Sequence, residues 1–107
     1  MVINIKGSEI VEFDWSGGNN VKNLLKHNVT VREAEAVFLN KPLYVAPDVQ
    51  HSTYEERFFA FGQTFENRKL FIAFTVRDAR IRVISARDLS RQERKRFQDE
   101  IEKTTQV

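Results

Sequence analysis

The chain has 107 residues, enough for one domain with a modest core, and its 41% hydrophobic and 30% charged content is that of a folded globular protein. With no cysteine it carries neither disulfides nor thiolate metal sites, and two histidines are too few for a histidine-rich zinc centre. A net charge of +2 argues for no polyanion by itself, but between residues 77 and 96 eight Lys/Arg stand against three acids.

In chain order, residues 1–6 lack the long apolar region of a signal peptide, and residues 1–8 are expected to form an extra strand, a flexible arm or neither. Residues 9–15 mix apolar and acidic positions and read as a first strand. Ser16-Gly17-Gly18-Asn19-Asn20 is a break, rich in residues that tolerate turns. Val21, Leu24 and Leu25 then fall at i, i+3 and i+4, the stripe of a short helix ending near His27 and Asn28. Thr30 with Glu33 is a capping box, opening a helix that buries Val31, Ala34, Val37 and Phe38 and stops at Asn40-Lys41-Pro42. Residues 43–46 are short and extended, and residues 47–52 are a loop.

The second half reads as strand after strand. Residues 57–65 are aromatic-rich with Gly62 inside them. Residues 70–76 are apolar on both faces, as in a central strand. Asp78-Ala79 is a hairpin-length connection, although Asp-Gly is the stronger turn signal. In residues 80–87 strict alternation puts Ile81, Val83 and Ser85 on one face and Arg80, Arg82 and Ile84 on the other. Ser90 and Glu93 form a second capping box, opening a basic helix over residues 91–102 anchored by Phe97 and Ile101. The expected fold is α+β: one domain over residues 1–107, an antiparallel sheet of three or four strands and a C-terminal helix. No segment approaches the roughly 20 apolar residues of a membrane span, so the expected location is the cytoplasm.

Three ordered pieces of this sequence resemble the BrnT toxins of type II toxin–antitoxin systems. They are Phe13-Asp14-Trp15 ahead of Lys26-His27-Asn28-Val29, then His51-Ser52 with Glu56-Arg57 and Gly62, and last Arg82 to Arg87 with Glu93-Arg94 and Phe97. Phe97 stands where the family usually has tyrosine, and Asn28 where it usually has glycine. The resemblance implies a RelE-like fold and an endoribonuclease that cleaves mRNA to slow translation. It also implies a BrnA-type antitoxin of ribbon-helix-helix fold, with operator DNA bound only through that partner. The alternative is a non-catalytic module that binds RNA or its partner.

RNA cleavage by the 2′-hydroxyl needs a base, an acid and cations for the charge on phosphorus. His51 is the first candidate for acid or base, since histidine titrates near neutral pH. Glu56 serves as a base only if burial raises its pKa. Arg57 is either a phosphate ligand or an ion-pair partner. Arg87, at the strand-to-helix junction, is the favoured ligand of the scissile phosphate. Arg82 stands in support, but an odd spacing puts it on the opposite face from Arg87 in a regular strand. Lys26, His27, Arg91 and Arg94 are further candidates for RNA contact. No pair of carboxylates sits at a convincing metal-ligand spacing, and no cofactor is expected.

Overall fold

The computed structural model describes residues 12–16 and 20–105. The arm or strand expected at residues 1–8, and the break at residues 17–19, lie outside them. Helix α1 spans Asn20–Leu25 and α2 spans Val31–Leu39. Between them the chain turns at Asn28, in the left-handed region at φ 55°, and Val29 N–H donates back to the Leu24 carbonyl at 3.1 Å. Thr30 caps α2 as its spacing predicts: Glu33 N–H donates to its Oγ1 and Glu33 Oε1 accepts from Thr30 N–H, both at 3.0 Å.

Four antiparallel strands follow, β1 Leu43–Pro47, β2 Arg57–Gln63, β3 Lys69–Arg77 and β4 Arg80–Asp88, paired in chain order as a meander. Helix α3, Arg91–Thr105, closes the fold and runs three residues past its expected end. The β3–β4 hairpin turns on Asp78 and Ala79, both at positive φ (51° and 62°). A two-residue hairpin asks for that geometry whether or not glycine is present. Residues 12–14 lie beside the start of β4, where Phe13 bridges Ile81. Phe13 packs on the core, Asp14 turns to Arg82 and Trp15 Nε1 donates to Glu35 of α2 at 2.8 Å.

One correction concerns β4. Its register with β3 shifts at Ile84: Val83 pairs with Phe74 but Ser85 pairs with Ala73, so Ile84 is an extra, bulged residue. A bulge resets the alternation of side chains. Ser85 therefore leaves the face of Ile81 and Val83 and joins that of Arg82.

Each face of the sheet buries its own cluster. Behind it, α1 and α2 cover Leu70, Ile72, Phe74, Val83 and Ala86. In front, α3 lays Phe97 against Phe61, Tyr44 and Leu89. Helix α2 crosses the sheet at Gly62, where an added Cβ would stand 2.5 Å from Val37 Cγ1. Gly62→Ala therefore overpacks this contact and is expected to cost about 1–3 kcal/mol, read as a lower urea midpoint at unchanged slope.

A second anchor is Arg68, just before β3. Its guanidinium donates to Asp88 at 2.8 and 3.1 Å, to Glu33 at 3.2 Å, and to the carbonyls of Asn28 and His27 at 2.8 and 3.1 Å. One side chain thus ties the α1–α2 turn to the far end of β4.

Candidate functional site

The front face of the sheet is built in cross-strand rows. Arg57, Thr75 and Arg82 lie side by side on β2, β3 and β4; the next row is Phe59, Ala73 and Ser85, and the third is Phe61, Phe71 and Arg87. Because of the bulge, Arg82 and Arg87 share this face, which removes the parity conflict. They do not share a location. Four residues of extended chain separate their rows, roughly 13 Å, too far for one phosphate group.

Helix α3 roofs the third row and reaches the second through Arg96. Phe97, 1% exposed, meets the Phe61 ring edge-on at 6.3 Å and is a core anchor. Arg96 leans from α3 over the aromatic wall, its guanidinium 5.5 Å from the Phe59 ring, and donates to Tyr44 Oη at 3.2 Å. Arg87 lies on Phe71 at 4.2 Å and bridges Glu93 by two bonds, 2.7 and 3.0 Å. Glu93 also accepts Ser90 N–H, so the capping box and the strand-to-helix tie share one carboxylate.

The first two rows lie partly exposed beside α3, with Thr75 buried between Arg57 and Arg82, and their rim carries a histidine. A short 3-10 turn, Val49–His51, follows β1. Ser52 stitches it to β2, since Arg57 N–H donates to Ser52 Oγ at 3.0 Å and that hydroxyl donates to the Asp48 carbonyl at 2.7 Å. His51 Nδ1 lies 2.9 Å from Asp48 Oδ2, with 62% of its side chain exposed. A carboxylate only accepts, so the proton of this bond lies on Nδ1, and in the neutral ring the lone pair lies on Nε2. His51, Tyr54, Glu55, Arg57 and Arg77 line a cleft of about 610 Å³ here.

Other expected residues lie elsewhere. Lys26 and His27 are exposed in the turn after α1, and the His27 carbonyl accepts from Arg68 at the Asp88 end of the sheet, opposite to the cleft. Glu56 is exposed at the foot of β2 and lacks the burial that a role as base requires; its carbonyl accepts the Thr75 hydroxyl at 2.8 Å. Arg91 and Arg94 are exposed on α3. Among the described residues, no group of three or more His, Asp or Glu is arranged to hold a metal ion. No helix among them is long and apolar enough to cross a membrane.

Asp48, Glu55, Arg77 and Arg96 are the residues at this face that sequence reasoning misses. Asp48 had a local signal, an acid three residues before a histidine in one turn. Arg77 had none, because it reaches the cleft only through the pairing of β2 with β3.

Five carboxyls among the described residues are held below their ordinary range, Asp14 by its hydrogen bonds from Ser16 and Glu55 by Arg77 among them. The Arg87 bridge, aided by Ser90, takes Glu93 down to about 2. Arg68 lowers Asp88, and Thr30 N–H with Arg68 lowers Glu33. A depressed folded-state pKa stabilises the fold above the unfolded value and loses that contribution as pH falls. Stability is therefore expected to be flat above about pH 5 and to drop between about pH 4.5 and 2. After solvent screening, Glu93 contributes on the order of 2 kcal/mol. Urea melts across this range check it, and Glu93→Gln should flatten the acid limb.

An antiparallel four-stranded meander, two helices behind it and a third across its front, is the RelE-like arrangement, here with an arginine-rich open face. A family model described as the ribonuclease toxin BrnT of type II toxin–antitoxin systems matches residues 15–93. The chain belongs to that family. A search of curated proteins finds no match.

Proposed function

We propose that this toxin cleaves mRNA at the open front face, with the 2′-hydroxyl as nucleophile, His51 as base and Arg57 with Arg82 as ligands of the scissile phosphate. The observation that carries the reading is the His51–Asp48 pair at the rim of an arginine-lined cleft. Asp48 fixes the tautomer, so Nε2 is the atom that takes the 2′-hydroxyl proton. The 2′-oxygen then bonds to phosphorus as the bond to the 5′-oxygen breaks. The products are a 2′,3′-cyclic phosphate and a 5′-hydroxyl, the leaving oxygen taking its proton from water in the open cleft.

Arg57 and Arg82 stand two strands apart across Thr75, roughly 9.6 Å between backbones, a gap that two long guanidinium side chains close on one phosphate. Arg87 and Arg96, farther along the face on Phe71 and Phe59, hold the next phosphate. For Arg87 this requires sharing its fork with Glu93. Lys26 and His27, at the other end of the sheet, are given no catalytic role.

The same reading takes the partner to be a BrnA-type ribbon-helix-helix antitoxin, with operator DNA reached only through it. The exposed cations Arg91 and Arg94 of α3 are a surface for an acidic segment of that protein. The toxin then acts in the cytoplasm, where its mRNA substrate is.

Induced expression without the partner tests the function: growth arrest with mRNA decay is expected, and harmless expression contradicts it. Salt gives a second test. Contact with two to three phosphates should weaken single-strand RNA binding by roughly 1.5–2 log units per log unit of salt, and a flat response contradicts the arginine face.

A further inference from the structure

Arg77 stands at the end of β3 and lines the same cleft as His51 and Arg57. Its Nε and Nη2 both donate to Glu55, the latter at 3.0 Å, in the two-point geometry that an arginine also offers a phosphate. Positive charge converges on that carboxylate. Arg77 acts on it most strongly, and Arg82 and Arg57 add to the effect from the neighbouring row. Glu55 therefore sits where three guanidiniums act on an anion, Arg77 by direct contact.

The pair is open to solvent, with 49% of the Arg77 and 33% of the Glu55 side chain exposed. Exposed ion pairs contribute little to folding, so exchanging one partner for another anion is cheap. A phosphodiester is not tethered to the chain and offers several oxygens, so it can engage Arg57 and Arg82 together with Arg77.

We propose that Arg77 is a phosphate-binding residue of this face, and that Glu55 is the internal anion which an RNA phosphate displaces from it. The proposal rests on the ribonuclease reading above. Glu55 then acts as a threshold: it shields Arg77 from small anions and yields to a strand that engages several arginines at once.

The test uses a short 2′-O-methyl oligoribonucleotide, which 2′ attack cannot cleave, and reads its binding by fluorescence anisotropy. Glu55→Gln should bind about threefold to fivefold more tightly than wild type, with a steeper salt dependence. Arg77→Gln should bind about tenfold more weakly, with a shallower one. Glu66→Gln, in the exposed β2–β3 turn at the other end of the sheet, removes the same charge and should change binding much less. Circular dichroism melts confirm that each variant is folded. A Glu55→Gln protein that binds no tighter than Glu66→Gln, or an Arg77→Gln protein that binds like wild type, overturns the proposal. If wild type binds and cleaves RNA, that failure falls on this proposal alone. If wild type does neither, the ribonuclease reading falls and takes this one with it.

Discussion

Replacing His51 with alanine is expected to lower RNA cleavage by about 10²–10⁴-fold, the usual contribution of a positioned general base. The loss should be confined to chemistry. His51 is mostly exposed and, among the described residues, its hydrogen-bond partner is Asp48, so the core and the sheet do not depend on it. Binding of an uncleavable RNA should therefore stay near wild type while the single-turnover rate collapses. Asp48→Asn should fall between the two proteins. It leaves the ring in place but no longer demands a proton on Nδ1, so a fraction of His51 presents Nε2–H and has no lone pair to offer. In cells the same His51→Ala change should relieve growth arrest. A His51→Ala protein that cuts at the wild-type rate would remove His51 from the site and with it the role given to Asp48.

The largest effect on stability is expected at Phe97. The ring is 1% exposed and is the main anchor of a helix whose other faces are charged, with Ile101 and Leu89 adding smaller contacts. Phe97→Ala should cost about 3–5 kcal/mol, the range for deleting a buried aromatic side chain. Against the 5–15 kcal/mol typical of a domain, that is a large share. The sheet has its own second core behind it, so the change should free α3 before it unfolds the strands. Amide exchange checks this: protection should fall over residues 91–103 while β3 amides stay slow. Activity should fall as well, because Arg96 and the Arg87–Glu93 tie reach the front face only when α3 is docked.

What could be read from the sequence was local. Thr30 with Glu33 and Ser90 with Glu93 carry their caps within four residues, and both form. The continuous apolar run of β3 and the apolar stripe of α2 are equally local, and with them came the α+β fold. The bulge at Ile84 was not readable. It is a property of the pairing between β3 and β4, and no residue in 80–87 announces it. Its effect on function is direct, since it decides that Arg82 and Arg87 look the same way. Arg68 was invisible for the same reason: its partners Asn28, Glu33 and Asp88 are brought to it by three different elements. At the site, His51 and Arg57 were legible as residue types that suit RNA chemistry. Their meeting with Arg77 and Glu55 depends on strand register, and the sequence pattern does not carry that.

The central claim is that the front face cuts RNA by 2′ attack with His51 as base. End analysis of a single mRNA, incubated in a translation extract with wild type or with His51→Ala, tests it most directly. Wild type should create new 5′-hydroxyl ends whose upstream partners carry 2′,3′-cyclic phosphates, and His51→Ala should create almost none. Intact mRNA with wild type, or new ends bearing 5′-phosphates, would contradict the account.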